Sequence, residues 1–329
     1  DTKFSEIDAF AFGTDSLFVL GGGPDRLTAL ERVDLDTGST ETLQVSSSIA
    51  VSQKWVSVPE PVTFPTSEGD VAHGYFYAPR NPNWRAPEDE LPPLIVIGHG
   101  GPTGSTSVIL NPAIQYWTTR GIAVLDVNYR GSTGYGRVYR DRLKGEWGVF
   151  DVADCVHGAG SLVERGLVDG QRLAIRGGSA GGYTALAALV FHDAFSAGAS
   201  YYGISELEAL ARDTHKFESR YLDRLVGSYP QEQEVYQRRS PFHHVKQFSA
   251  PMILLQGSDD EVVPPNQAEM LVDALALNRL PHAYVLFENE GHGFHQGSNI
   301  VAALEAEYSF FAQIFGFVPD DEIPKVEVR

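Results

Sequence analysis

The sequence predicts an α/β fold, in which a mostly parallel sheet is covered by helices on both faces and is preceded by a short all-β segment. Two patterns support this prediction. Over most of the chain, short apolar runs alternate with helical patterns, which is typical of buried parallel strands and their connecting helices. Between residues 7 and 45, short alternating runs are instead separated by turn residues, which favours antiparallel hairpins.

The first segment contains two hairpin signals. Residues 16–20 form a strand-like run that ends at three glycines, and Asp-Thr-Gly at residues 36–38 follows another alternating run. Aspartate, threonine and glycine in this position are typical of a tight turn. We therefore expect short antiparallel strands between residues 7 and 45.

The parallel sheet is predicted from five apolar runs, at residues 94–97, 122–127, 173–175, 252–255 and 284–287. Helical patterns lie between or after them, at residues 112–120, 151–165, 266–277 and 301–315. A glycine follows three of these helices, where it suits the left-handed C-cap position. Residues 58–93 are expected to carry the leading strands and a proline-rich acidic loop.

Ser179 lies in the run Gly-Gly-Ser-Ala-Gly-Gly-Tyr at residues 177–183, between a strand-like run and a helix-forming run. A serine between glycines at a strand-to-helix turn has a strained backbone, and its hydroxyl stands above the sheet near a helix N-terminus. Glycine-flanked serines also occur in ordinary turns. The motif alone therefore leaves a catalytic serine and a plain turn as alternatives.

Two later loops supply an acid and a base in the chain order serine, acid, histidine, which α/β-hydrolases share. Asp259 and Asp260 follow the strand at residues 252–255, and His292 lies between two glycines after the strand at residues 284–287. A serine hydroxyl becomes a good nucleophile only when an imidazole takes its proton and a carboxylate orients that imidazole. The order predicts an α/β-hydrolase fold with Ser179 and His292 in the active site.

Further motifs accompany this order: His-Gly-Gly-Pro at residues 99–102, Asn-Tyr-Arg-Gly-Ser at 128–132, and Trp147-Gly148 followed by Asp151 and Asp154. With them, roughly residues 59–317 resemble the prolyl oligopeptidase family of serine peptidases, especially its acylaminoacyl peptidase and dipeptidyl or aminopeptidase branches. The resemblance implies an α/β-hydrolase domain at residues 58–329, preceded at residues 1–57 by part of a β-propeller blade. Because one blade cannot close a ring, we expect a longer protein whose propeller limits substrate size.

The resemblance also implies roles for individual residues. Ser179 matches the nucleophile of the family, His292 matches its base, and Asp260 matches its orienting acid, which usually lies three residues after the loop glycine. Asp259 is the competing assignment for the acid. His99 is expected to support the oxyanion loop rather than to act as the base, because the serine, acid, histidine order does not need it.

Two further groups of residues are implied around this triad. The oxyanion hole would be formed by the backbone N–H groups of Gly101 and Ala180, aimed at the negative charge that develops on the substrate carbonyl oxygen. Tyr201, Tyr202 and Val262 are expected to form walls of the substrate pocket. Core packing at a strand end is the alternative for each tyrosine.

The resemblance implies a serine exopeptidase that hydrolyses N-terminal aminoacyl or short peptidyl amide bonds through an acyl-serine intermediate. Relatives that bind the carbonyl of the second substrate residue often have arginine or asparagine two positions after the acid, whereas here Glu261 and Val262 follow Asp260. This difference favours release of a single residue, which we expect to be apolar or aromatic. The alternatives are an acylaminoacyl or dipeptidyl peptidase, a carboxylesterase and, least favoured, a non-catalytic binding module.

Composition argues against several other classes. The 329 residues carry a formal net charge of -18, and the absence of a basic stripe argues against a nucleic-acid partner. No apolar run approaches the ~20 residues of a membrane span, and no motif for a metal or cofactor is present, so we expect neither membrane insertion nor a cofactor. The single cysteine, Cys155, is expected to pack in the core and permits a reducing, cytoplasmic location. The expected partners are a peptide or aminoacyl-amide substrate and the protein's own propeller, and homo-oligomerisation stays open.

Overall fold

The beginning of the chain forms a four-stranded antiparallel sheet in the computed structural model, which describes residues 4–48, 51–213 and 220–329. Its strands are β1 (Glu6–Phe12), β2 (Ser16–Gly23), β3 (Arg26–Asp34) and β4 (Thr40–Val45), and each pairs with the next along the chain. In the turn between β3 and β4, the Asp34 carboxylate accepts hydrogen bonds from the backbone N–H groups of Asp36 and Thr37. The predicted hairpin is thereby confirmed.

The rest of the chain is built around an eight-stranded sheet. Its strands are β5 (Glu60–Pro65), β6 (Val71–Tyr77), β7 (Leu94–Gly98), β8 (Ala123–Asn128), β9 (Leu173–Gly178), β10 (Ala197–Tyr201), β11 (Met252–Gly257) and β12 (His282–Phe287). The spatial order is β12-β11-β10-β9-β7-β8-β6-β5. The pairs from β8 to β12 are parallel, whereas β6 runs antiparallel to both of its neighbours.

Helices cover both faces of this sheet, as the sequence predicts. They are α1 (Pro112–Thr118), α2 (Gly136–Asp141), α3 (Phe150–Glu164), α4 (Ala180–Phe191), α5 (Leu207–Asp213), α6 (Leu222–Leu225), α7 (Gln233–Arg239), α8 (Asn266–Leu277) and α9 (Gly297–Phe315). One apolar core joins α3, α4 and α8 to the sheet, and a second joins α1 and α9 to its other face. Within the described ranges, none of the helices combines the length and apolar character that a membrane span needs.

Two details of the helices agree with the sequence. Gly316 ends α9 in the left-handed conformation, with φ of 76°, which residues other than glycine rarely adopt. Cys155 is completely buried in α3, and burial raises the pKa of its thiol well above the usual value. A buried, protonated thiol of this kind is a packing residue rather than a nucleophile.

Arg130 and Asp154 form an ion pair in the core, between the loop after β8 and α3. Arg130 Nη2 lies 2.8 Å from Asp154 Oδ1, and the two side chains are 1% and 0% exposed. The backbone N–H of Arg130 also donates to Asp154 Oδ2 over 2.7 Å, and the guanidinium stacks on the Phe150 ring. The pair therefore fixes the loop that begins at residue 129 against the body of the domain.

Replacing Arg130 with methionine is expected to lower the free energy of unfolding by about 3–5 kcal/mol, because the Asp154 carboxylate would stay buried without its counter-ion. Urea unfolding followed by tryptophan fluorescence measures this change. Arg142→Met is the matched control, since Arg142 also lies over the Phe150 ring but its carboxylate partners are partly exposed. The control is expected to cost less than about 1 kcal/mol. Equal losses in the two variants would contradict the role assigned to burial.

Candidate active site

Ser179 lies at the sharp turn between β9 and α4. Its backbone has φ of 55° and ψ of -121°, a combination that is unusual for any residue with a side chain. The turn is held by a hydrogen bond from the Ser179 N–H to the carbonyl of Tyr201 at the end of β10, over 2.9 Å. Strain of this kind persists where the surrounding structure imposes it, as at a nucleophile elbow.

The glycines around Ser179 are explained by close packing of backbones. A Cβ atom on Gly181 would collide with the carbonyl oxygen of Gly98 at the end of β7. A Cβ atom on Gly177 would collide with the backbone of Gly181. Glycine at these two positions allows α4 to begin directly against the ends of the central strands. The serine therefore lies at the carboxyl edge of the sheet.

His292 connects Ser179 to a buried carboxylate. Its Nε2 lies 2.9 Å from Ser179 Oγ, and its Nδ1 lies 2.9 Å from Asp260 Oδ2. Asp260 is 3% exposed, whereas Asp259 is exposed and accepts a hydrogen bond from Ser258 Oγ. Of the two aspartates left as alternatives by the sequence, Asp260 is therefore the one that contacts the histidine.

The Asp260 carboxylate is oriented by its other hydrogen bonds. Oδ1 accepts from the backbone N–H groups of Val262 and Val263, each over 2.9 Å. Gln256 Nε2 lies 3.3 Å from Oδ2. These donors hold the carboxylate in one rotamer, so that Oδ2 faces the Nδ1–H of the imidazole.

The loop that carries His292 is anchored by Glu290, which the sequence motifs did not single out. The Glu290 carboxylate is 1% exposed and accepts hydrogen bonds from the backbone N–H groups of His295 and Gln296, and from the side chain of Asn299. His295 and Gln296 directly precede α9 and Asn299 lies in its first turn, so Glu290 holds the segment that joins His292 to this helix. Glu290 precedes the first residue of α9 by seven residues, which is outside the first turn of the helix, so no local sequence signal pointed to this anchor.

A cavity of about 690 Å³ opens beside Ser179 and His292. Gly101 and Ala180 line it, as do Tyr202 and Val262. Its remaining walls include Trp147, Ile204, Leu210 and Leu222. The triad therefore faces a space with mostly apolar and aromatic walls.

The two predicted oxyanion donors belong to different segments, Ala180 to α4 and Gly101 to the loop after β7. Ala180 is the first residue of α4, so its N–H is one of the four that have no acceptor within the helix. Gly101 follows β7 and has φ of 119°, a conformation that requires glycine. Both residues border the cavity, and their role as oxyanion donors stays a prediction.

The prediction for Tyr201 differs from the structure. Tyr201 is the last residue of β10 and is buried on the face covered by α9, where its hydroxyl donates to Glu307 Oε2 over 2.6 Å. Tyr202 follows the end of the strand with φ of 39°, and its ring is edge-on to the His292 ring, with centroids 4.8 Å apart. Tyr202 and Val262 therefore border the cavity, whereas Tyr201 is a core residue and not a wall of the pocket.

One group of described side chains has the spacing of a metal-ligand set, namely Glu206, Glu208 and His243. His243 Nε2 lies 3.6 Å from Glu206 Oε1 and 3.9 Å from Glu208 Oε2. The Glu206 carboxylate accepts hydrogen bonds from the backbone N–H groups of Glu208 and Ala209 at the start of α5, and Gln237 donates to Glu208. The group is therefore a helix cap, and it does not line the active-site cavity.

Comparison with known proteins places this site in a family. The model of the prolyl oligopeptidase family matches residues 110–317. Dipeptidyl aminopeptidase BIII of Pseudoxanthomonas mexicana is 31% identical over 264 residues, which are 78% of this chain and 38% of that enzyme. The acylamino-acid-releasing enzyme of Arabidopsis thaliana is 28% identical over 221 residues, or 61% of this chain and 27% of the enzyme.

A solved structure of a Mycobacterium tuberculosis puromycin-hydrolyzing peptidase matches the whole chain, with a TM-score of 0.98 and 43% identity. The match covers 50% of that peptidase, and this chain therefore spans half or less of the length of each relative named. The family match extends over more than half of the chain and includes Ser179 and His292. The resemblance stated from the sequence is confirmed, and the chain belongs to the prolyl oligopeptidase family.

Proposed function

We propose that this chain is the catalytic part of a serine exopeptidase that hydrolyses N-terminal aminoacyl amide bonds. The observation that carries the proposal is the hydrogen-bonded series Ser179, His292 and Asp260 at the edge of an apolar cavity. Nucleophilic catalysis by serine needs a base within hydrogen-bond reach and a group that orients this base. Both distances in the series are 2.9 Å, which meets this requirement.

The mechanism follows from the positions of these groups. His292 Nε2 takes the hydroxyl proton as Ser179 Oγ attacks the substrate carbonyl carbon, and negative charge moves onto the carbonyl oxygen. The backbone N–H groups of Gly101 and Ala180 stabilise this charge. His292 then donates the proton to the leaving amine as the C–N bond breaks. A water molecule, deprotonated by His292, hydrolyses the resulting acyl-serine, and the proton returns to Ser179 Oγ.

The activities named for the relatives support an exopeptidase. One is a dipeptidyl aminopeptidase, one releases acylamino acids, and one hydrolyses puromycin. Puromycin is an aminoacyl amide with a free amino group, and its aminoacyl side chain is aromatic. The walls formed by Trp147, Tyr202 and Leu222 suit such a side chain, which supports an apolar or aromatic first residue as the preferred substrate.

The four-stranded sheet supports the proposal of an attached propeller. A four-stranded antiparallel meander has the size of one propeller blade. Its first strand exposes Phe10 and Phe12, with 66% and 72% of their surface accessible. The sheet also contacts the hydrolase domain, since the Leu110 N–H donates to the carbonyl of Gly23. We propose that further blades, in a longer chain, cover this surface and limit which substrates reach Ser179.

The test is a substrate panel measured with the full-length protein and its Ser179→Ala variant. The panel consists of phenylalanine 4-nitroanilide, puromycin, the N-acetylated and glycyl-extended forms of the anilide, and a matched 4-nitrophenyl ester. We expect turnover of the free anilide and of puromycin, and loss of both in the variant. Preference for the acetylated or extended anilide would instead assign an acylaminoacyl or dipeptidyl peptidase. Turnover of the ester alone would assign an esterase, and an inert protein would overturn the enzymatic proposal.

A further inference from the structure

Tyr201 and Tyr202 form the corner at which β10 ends, and each of them contacts a different member of the triad. The carbonyl of Tyr201 accepts a hydrogen bond from the N–H of Ser179 over 2.9 Å. The ring of Tyr202 lies edge-on to the ring of His292, with centroids 4.8 Å apart. The relative position of the nucleophile and its base therefore depends on the conformation of these two residues, the β10 corner.

The β10 corner has a backbone conformation that a tyrosine does not favour by itself. Tyr202 has φ of 39°, in the left-handed region that residues with a side chain rarely adopt. Its N–H donates to the carbonyl of Leu255 on β11 over 2.8 Å. A strained residue of this kind persists only where the surrounding contacts impose its conformation. The contacts that hold the corner are therefore part of what aligns the triad.

The side chain of Tyr201 is held by a buried ion pair on the face of the sheet that α9 covers. The Tyr201 hydroxyl donates to Glu307 Oε2 over 2.6 Å, and Arg176 Nε lies 2.8 Å from Glu307 Oε1. The side chains of Glu307 and Arg176 are 0% and 15% exposed. The guanidinium of Arg176 also lies over the Tyr201 ring, 4.9 Å from its centroid. One carboxylate thus contacts both the β10 corner and strand β9.

The ion pair joins the segments that carry the nucleophile and the base. Arg176 lies on β9, three residues before Ser179, and Glu307 lies on α9, the helix that follows the His292 loop. Phe294, two residues after His292, packs against both tyrosines of the β10 corner, with ring centroids 5.9 and 5.6 Å away. The hydrogen bond to Glu307 therefore ties the corner to the strand before the nucleophile and to the helix after the base.

Stability alone does not explain this ion pair, because apolar residues of similar volume often stabilise a core at least as well. A carboxylate fixed by an arginine offers what an apolar side chain lacks, a directional hydrogen-bond acceptor at one position. We propose that Glu307, Arg176 and Tyr201 are positioning residues for the triad. The ion pair fixes the acceptor of the Tyr201 hydroxyl, and this hydrogen bond holds the β10 corner so that Ser179 and His292 stay aligned. The inference rests on the proposed function, because it assigns how its nucleophile and base are aligned.

Two double variants separate the hydrogen bond from the buried charges. Arg176→Met/Glu307→Gln and Arg176→Met/Glu307→Leu both remove the ion pair, so neither leaves a buried charge without its counter-ion. Glutamine still offers an oxygen to the Tyr201 hydroxyl, whereas leucine does not. Because a misplacement of 1 Å can cost about 100-fold, we expect kcat on phenylalanine 4-nitroanilide to fall by about 10- to 30-fold with leucine and by less than about 5-fold with glutamine. KM should stay within about threefold in both.

Tyr201→Phe removes the donor of this hydrogen bond rather than its acceptor. It should lower kcat by about 10- to 30-fold in the otherwise unaltered protein, and cause no further loss in Arg176→Met/Glu307→Leu, where the bond is already missing. Tyr236→Phe is the matched control. Tyr236 is also buried, and its hydroxyl donates to the Gly227 carbonyl over 2.6 Å, but it is not among the described residues that line the cavity. The kcat of this control should equal that of the parent.

The kinetics of fluorophosphonate labelling distinguish a misaligned triad from a misfolded protein. A folded protein whose triad is misaligned is labelled completely but slowly on Ser179, whereas a partly misfolded sample is labelled rapidly but incompletely. We expect Tyr201→Phe and Arg176→Met/Glu307→Leu to reach the same labelled fraction as the parent, with rate constants that fall in proportion to kcat. Incomplete labelling at the parental rate would show a role in stability alone and would overturn the positioning role.

The outcomes distinguish this inference from the proposed function. If the unaltered protein neither hydrolyses the amides and esters nor reacts with the fluorophosphonate, the proposed function fails. If the unaltered protein is active but Tyr201→Phe keeps its kcat, or changes only KM, the positioning role is wrong. Equal kcat values in the glutamine and leucine double variants would likewise overturn it. Tyr201→Phe removes a single oxygen atom and provides the test if the double variants do not fold.

Discussion

The Ser179→Ala variant is expected to hydrolyse aminoacyl amides about four to six orders of magnitude more slowly than the parent protein. The hydroxyl is the atom that would form the acyl intermediate, and no other described hydroxyl lies within hydrogen-bond distance of His292 Nε2. The residual rate would come from the oxyanion donors and from binding. The measurement is kcat/KM on phenylalanine 4-nitroanilide, together with covalent labelling by a fluorophosphonate, which the variant should not show.

Replacement of a second serine, Ser249, is the control that shows whether the loss of activity is specific to Ser179. Ser249 lies outside the cavity, and its hydroxyl bonds to the carbonyls of Leu189 and His192. Ser249→Ala should therefore keep full activity and full labelling. Both variants should remain folded, because each removes one oxygen atom. Labelling of the Ser179→Ala protein at another residue, or activity above about 1% of the parent, would contradict the assignment of the nucleophile.

The Asp260→Asn variant is expected to lower kcat by about 10³- to 10⁴-fold, because an amide can donate to His292 Nδ1 and so favour the tautomer that carries its proton on Nε2. In that tautomer the imidazole cannot accept the Ser179 proton. Asparagine has nearly the same shape as aspartate. Its side-chain oxygen can still accept the hydrogen bonds from the backbone N–H groups of Val262 and Val263. Steady-state kinetics with the same anilide measure the effect.

Asp259→Asn is the control for this prediction. Asp259 is the adjacent carboxylate, carries the same charge and is exposed, so its replacement is expected to change kcat by less than about threefold. Comparison of the two variants separates the contact with His292 from the general effect of one negative charge near the site. A larger loss in Asp259→Asn than in Asp260→Asn would show that the acid had been assigned to the wrong residue.

The sequence predicts the strands of the parallel sheet whose residues are strongly apolar. It does not predict β10, whose residues are mostly small. The runs around Leu94, Leu173 and Met252 are rich in leucine, isoleucine and valine, and all form buried parallel strands. Strand β10 lies between β9 and β11, yet its sequence is Ala-Gly-Ala-Ser-Tyr. A side chain at Gly198 would collide with Leu189 of α4, so close packing selects small residues that have low strand propensity.

The same strand explains the error at Tyr201. Tyr201 is the last residue of β10 and its hydroxyl bonds to Glu307, whereas Tyr202 follows the strand with φ of 39° and its ring lies beside His292. Without the exact end of β10, the sequence does not show which tyrosine faces the substrate. The buried partner that decides the matter, Glu307, is more than 100 residues away on α9. Contacts between distant segments of this kind are set by the tertiary fold and leave no local pattern.

Some residues of the active site could likewise be identified from the sequence, and others only from the structure. Ser179, His292 and the pair Asp259 and Asp260 could be found from order and spacing, because the fold places the carboxyl ends of parallel strands at one edge. The choice between the two aspartates needed the distance to His292. The resemblance implied that His99 supports the oxyanion loop, but the sequence did not give the partners of its ring, since Tyr129 and Ser132 lie in a separate loop after β8. Predicting them would require the loop conformations rather than the residue types.

The acyl-serine intermediate can be observed by mass spectrometry of the full-length protein, quenched with acid during turnover of phenylalanine 4-nitrophenyl ester. With an ester, acylation is fast and the acyl-enzyme accumulates. The predicted result is a mass increase of one phenylalanyl group, located on the peptide that contains Ser179 and missing in the Ser179→Ala variant. An adduct on another residue, or rapid ester hydrolysis in the Ser179→Ala variant, would contradict serine catalysis at this site.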